Sequence, residues 1–264
     1  MRRNKAVIWV GFKVALTYRF DFLVTIFTSP INLIVFYSLW KAIFAYGGQD
    51  VINGYTFDGM VSYYVISMII GFFTWSNVER WMEYDIIEGD MVVFFLRPIR
   101  LLSQYLCFEI GLNLLGLLMQ VVPIFILGFF FFSLQFASVI NLLLFLVSLV
   151  FASVLYFMMG FLLGLGAFWF KRITGISKAK GPVIGFLSGA LLPLTFFPAW
   201  AQNVLAYLPF MYVRFVPIQI YLGNYGLLGA FKHIGIQVFW IAAFASIALL
   251  VEKRAFKKFA GAGV

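Results

Sequence analysis

Side chains able to do chemistry are scarce in this sequence, and they are unevenly placed. It has one histidine, His233, and one cysteine, Cys107. Zinc and haem sites generally draw on several such ligands, so no metal centre is expected, and no internal disulfide can form. The nearest run to a GxxxxGK[ST] phosphate loop, Gly175-Ile-Ser-Lys-Ala-Lys-Gly181, has the wrong order, and no GxSxG elbow occurs. Ten acids stand against nineteen Lys and Arg, and five of the ten fall together: Glu79, Glu83, Asp85, Glu88 and Asp90. An apolar run, Met91 to Leu96, follows them, and Arg97-Pro98 closes the segment. Two chemistries compete here, a cation site of paired carboxylates and a docking surface for another protein. The DxDxDG spacing of a calcium loop is missing, and a polar head leading into a short apolar run suits a helix at a protein–protein seam. A plain solvated loop is the alternative.

Further polar residues lie inside apolar stretches, where burial in lipid is costly. Glu109 and Asn113, four residues apart, share one helix face. They mark either a translocation path or inter-subunit contact, or a boundary carboxylate that pairs with a nearby Arg. Arg214 is the only basic residue between Pro182 and Phe231. It meets either an anionic substrate or head group, or backbone carbonyls. His233, beside Lys232, reads as an interfacial residue.

The elements that must position these residues follow from composition. Of 264 residues, 64% are hydrophobic, 20% aromatic and only 11% charged, with a mean hydropathy of +1.01. These values exclude a water-soluble enzyme and a disordered chain. They predict an all-α integral membrane protein forming a single transmembrane domain over 1–264. Runs near the roughly 20 residues needed to cross a bilayer place six spans at 22–44, 59–78, 101–132, 139–170, 182–195 and 231–251. The third is longer than one crossing requires, so it tilts, kinks at Pro123 or extends beyond the bilayer. Residues 1–20 read as an interfacial helix, and as retained rather than as a cleaved signal. Pro193, Pro198, Pro209 and Pro217 break up 196–223, which reads as short or re-entrant helices at the outer face.

Six crossings put both termini on one side. With the 79–100 and 171–180 loops, that side holds sixteen of the nineteen Lys and Arg, so it is cytoplasmic. The net charge of +9 is therefore membrane address, and no nucleic acid partner is expected. Glycines recur every four residues at Gly160 and Gly164, and at Gly181, Gly185 and Gly189. Such stripes let helices approach closely, within the chain or at a dimer seam. No internal repeat at a fixed period is found.

The pattern Glu88-Gly89-Asp90-x5-Leu96-Arg97-Pro98-Ile99, entering a long span, resembles the segment before the third span of ABC-2-type transporter permeases. The branch it resembles has paired permeases and a separate ATPase subunit. Leu192-Pro-Leu-Thr-Phe-Phe-Pro-Ala-Trp200, continued by Leu205 to Phe210 and Val216 to Gly223, resembles the extracellular region between spans five and six. The resemblance covers nearly the whole chain. It implies the permease of an ATP-driven exporter, with Glu83, Asp85, Glu88, Gly89, Asp90, Arg97 and Pro98 forming a cytoplasmic coupling helix region. Pro193, Phe197, Pro198, Trp200, Pro209 and Pro217 would belong to outer re-entrant helices, and Glu109, Asn113 and Arg214 would be candidates for the path. Two cytosolic ATPase subunits would carry ATP and Mg, while this chain binds no cofactor and is not itself an enzyme. A second permease, a paralogue or else an identical chain, would complete the path in a prokaryotic plasma membrane. An ion-coupled secondary carrier is the alternative, but Glu109 is the only acid well inside a span. A membrane-embedded transferase lacks a His/Asp or paired-carboxylate constellation at a membrane face.

Overall fold

Long apolar runs without water must satisfy their own backbone, and in this chain they do so as helices. The structure, a computed structural model, describes residues 2–17, 19–97, 99–131 and 134–261. Helix α1 spans Arg2–Thr17 and α2 spans Arg19–Gly47. A small hairpin follows, with β1 at Val51–Ile52 antiparallel to β2 at Tyr55–Thr56. Its turn uses Asn53 and Gly54, both at positive φ, the signature of a tight two-residue hairpin. Thr56 then caps α3 (Phe57–Phe73), its Oγ1 accepting from the Gly59 amide at 3.1 Å. After a break at 74–77 come α4 (Val78–Ile87) and α5 (Met91–Leu96), with Gly89 at φ 82° turning the chain between them.

Helix α6 (Leu101–Phe131) is bent by 43° between Leu101–Leu115 and Met119–Ile126. The bend lies where the ring of Pro123 meets the carbonyl one turn back. Helix α7 (Val139–Leu165) starts at Ser138, whose hydroxyl accepts from the Asn141 amide. A short α8 (Ala167–Phe170) and Lys171 at φ 58° lead into α9 (Thr174–Leu187). Two 3-10 turns, Leu194–Phe196 and Phe210–Tyr212, flank α10 (Ala199–Ala206). Helices α11 (Phe215–Tyr221) and α12 (Gly226–Gly261) complete the chain.

Among the described residues three helical stretches are long and apolar enough to cross a bilayer: Phe57–Ile87, Val139–Phe170 and Gly226–Lys257. The two arms of α6 together make a fourth. The expected fifth span is the largest departure. Rather than 182–195, the helix occupies Thr174–Leu187, so Lys178 and Lys180 lie on a helix and not in a basic loop. Gly189, in the left-handed region at φ 83°, ends it before Pro193 can extend it. The expected second span, 59–78, likewise stops at Phe73.

Helix α1 has a protein face as well as an exposed one. A Cβ on Gly11 would lie 2.3 Å from the Phe108 carbonyl oxygen, and one on Gly111 would lie 2.1 Å from that of Ile8. The two backbones therefore touch, with Ala15 buried against Leu112 and Leu115. Trp9, Val10, Lys13 and Leu16 stay exposed.

The proline-rich segment folds inward. Tyr63 donates to the Gly189 carbonyl at 2.6 Å, Tyr64 to that of Leu191 at 2.7 Å, and the Phe215 amide to that of Ser188 at 3.0 Å. Gln219 donates to the Tyr55 hydroxyl, and all of α11 is buried. Irregular backbone in an apolar setting survives only when protein surrounds it, and here α3 and α9 do so. Gln237 of α12 ties the same region down, donating to the Tyr212 carbonyl at 2.8 Å and accepting from Ser148 of α7 at 3.0 Å.

Candidate functional site

Residues 74–77, between α3 and α4, lack a continuous helical ladder, so their polar groups need partners from elsewhere. Three side chains from other helices supply them. Asn113 of α6 donates to the Trp75 carbonyl at 2.9 Å, and Lys180 of α9 to that of Ser76 at 2.9 Å. Glu109 of α6 accepts from the Asn77 amide at 3.2 Å. The sequence reading pairs Glu109 and Asn113 on one face. The structure brings them together and turns both onto this break.

From the break, α4 presents two faces of different character. Val78, Glu79, Met82 and Glu83 point inward and are buried. Glu79 makes an ion pair with Lys180 at 2.6 Å, their side chains only 1% and 3% exposed. Ser177 donates to the other Glu79 oxygen at 3.3 Å, and the Lys180 ammonium sits 4.7 Å from the centre of the Tyr156 ring. One turn on, Glu83 accepts from the Ile173 amide at 2.9 Å and the Thr174 hydroxyl at 2.8 Å. It thereby satisfies groups at the start of α9 that have no partner within the helix. Gly160 and Gly164 make room for this face. A Cβ on Gly160 would lie 2.6 Å from the Glu79 carboxylate, and one on Gly164 would lie 3.0 Å from the Glu79 Cα.

The outward face carries Arg80, Trp81, Tyr84 and Ile87, and the loop beyond it exposes Glu88, Gly89 and Asp90. On α5 and just past it, Val93, Leu96 and Arg97 are exposed, Leu96 at 79%. This surface is mounted firmly on α6. Tyr105 donates to Asp85 at 2.5 Å and stacks on Phe94 with ring centres 5.0 Å apart. Gln104 donates to the Ile99 carbonyl at 2.8 Å and to that of Phe94 at 3.2 Å. Arg97 lies over the outer side of Phe94, 5.3 Å from its centre.

The expected coupling residues therefore divide. Glu83 and Asp85 are occupied by bonds within the chain and are not free to meet a partner. Glu88, Gly89, Asp90 and Arg97 are exposed and adjacent, and Pro98 lies outside the described residues.

Arg214 stands apart from this cluster. Its guanidinium donates to the Ser67 carbonyl at 3.0 Å and occupies the space left by Gly71, where a Cβ would lie 3.0 Å from it. Of the proline-rich residues, Pro198 begins α10 and Pro209 precedes the second 3-10 turn. Pro217 is third in α11, where an amide hydrogen has no helical partner to lose. Phe197 packs on Phe186 with ring centres 5.1 Å apart, while Trp200 is 72% exposed.

The sequence reading missed Lys180, Ser177 and Thr174 as partners of the acidic segment, and Tyr105 and Gln104 as its mount. One signal was present. Glu79 and Glu83 are four residues apart on one helical face, whereas Tyr84, Ile87 and Glu88 fall on another. The spacing of Gly160 and Gly164 announced a close approach without naming the helix that makes it.

Compared with curated proteins, the sequence finds no match. The family described as ABC-2 family transporter protein matches residues 19–263, nearly the full length described above. The chain belongs to the ABC-2 transporter family.

Proposed function

We propose that this chain is the permease of an ATP-driven ABC-2 exporter, and that separate cytosolic ATPase subunits dock on its α4–α5 surface. The observation that carries this reading is the division of the acidic segment. Its inward carboxylates are fully engaged, while Glu88 and Asp90 project beside Tyr84, Ile87 and Leu96 from a loop pinned to α6. An exposed apolar patch rimmed by charge, on a rigid mount, has the composition of a protein contact. The sequence offers no phosphate loop, so nucleotide chemistry falls to another chain, which would carry ATP and Mg. In this reading the α4–α5 face is cytoplasmic, as is the basic end of α12, and the protein sits in a prokaryotic plasma membrane. A second permease, a paralogue or an identical chain, completes the path, and Glu109 and Asn113 shape the break rather than line the path. Lipids surround the remaining apolar faces.

Purification from native membranes tests the proposal. Tagged permease is expected to retain vanadate-sensitive ATP hydrolysis, and the E88K/D90K variant to lose most of it while melting at the same temperature as the parent. Absence of hydrolysis from the parent, or full retention by the variant, counts against docking here.

A further inference from the structure

The contacts of α4 are lopsided. Toward α3, which precedes it in the chain, it is joined only through residues 74–77, where the helical ladder is interrupted. Toward α9, almost a hundred residues later, it is joined by the Glu79–Lys180 ion pair, the Ser177–Glu79 bond and two bonds from Glu83 to the α9 start. Beneath it, Gly160 and Gly164 of α7 offer a groove without side chains to interlock. Buried charge pairs are costly to separate, so a displacement of α4 that breaks this link is opposed more strongly than one that carries α9 along.

We propose that α4 and α9 move as one body about the 74–77 break, with Glu79, Glu83 and Lys180 as the positioning residues that join them. Force on the α4–α5 surface is then delivered to α9, and from there to Gly189 and the proline-rich segment that Tyr63 and Phe215 bind. The force itself rests on the docking role proposed above, whereas the linkage does not.

Spin-label distances on the full chain in nanodiscs, without any ATPase, test the linkage. Cys107 is buried and is replaced (C107S) so that only introduced cysteines react. Labels at exposed Tyr84 and Lys178 (Y84C/K178C) report α4 against α9, and labels at Tyr84 and exposed Asp58 (Y84C/D58C) report α4 against α3. The expected result is one narrow distance for the first pair and a broader distribution for the second. In the E79M/K180M background, where apolar chains replace both charges, the first pair loses its narrow peak and the second keeps its width. A narrow first pair in that background, or equally narrow distributions for both pairs in the parent, overturns the proposal. If E79M/K180M does not fold, E83A probes the same linkage at the α9 start with the same two outcomes. ATPase retention is read in a separate experiment, so either reading can fail alone.

Discussion

Removing the ammonium of Lys180 would strand three acceptors at once, because it bonds the Glu79 carboxylate and the Ser76 carbonyl and faces the Tyr156 ring. An isolated buried carboxylate is the most expensive of these. K180M is expected to destabilise the protein by about 3–5 kcal/mol, and E79M/K180M to recover most of that loss, as read from detergent melting curves. Gly160 supplies a second residue-scale expectation. G160A places a methyl group against the Glu79 carboxylate and is expected to cost about 1–3 kcal/mol. G185A, on α9, meets open space and is expected to melt no lower than the parent. In the sequence these two glycines look alike, since each belongs to a stripe of four-residue period. Spacing marks where a backbone is bare, and only the fold shows what approaches it. Arg214 was legible in the same partial way: its isolation marked it, and of its two readings the structure shows the bond to a backbone carbonyl.

At the scale of elements, the α4–α5 loop gains its rigidity from α6. Y105F removes the hydroxyl that holds Asp85 but keeps the ring stacked on Phe94. Hydrogen bonds to charged groups contribute about 1.5–3 kcal/mol, so the amides of 85–97 are expected to exchange faster in Y105F while those of α3 do not change. Equal exchange in both proteins would show that the loop is held by other contacts. Helix α9 was the element least legible in advance. Hydropathy placed it by its apolar half, 182–195, and assigned Lys178 and Lys180 to a loop because lysines are rarely buried. The burial of Lys180 depends on Glu79, a residue a hundred positions away, and window-based reasoning cannot see such a partner. The hairpin at 51–56 was likewise passed over, although Asn53-Gly54 announced it. Long helices such as α7 and α12 were legible because their apolar character is continuous and needs no distant partner.

At the scale of the whole molecule, buried polar groups form a line through the helices. It runs from the α4–α5 surface through Glu83, Glu79 and Lys180 to α9, then by way of Gly189 and Tyr63 to the inward-folded proline-rich segment. Among the described residues the apolar helices around it leave these groups as the principal specific links between its two ends. A transporter driven from one end requires a stiff connection of this kind, and membership of the ABC-2 family fits such a design. The central claim is that an ATP-hydrolysing subunit seats on the exposed α4–α5 face. A photo-crosslinking amino acid at Tyr84 or Leu96, both exposed, tests it most directly in native membranes. The account predicts a covalent adduct with a cytosolic polypeptide that contains a phosphate-binding loop, and no such adduct from exposed Trp200 at the other end of the molecule. Adducts at Tyr84 and Leu96 with lipid alone, from a properly inserted protein, would contradict it.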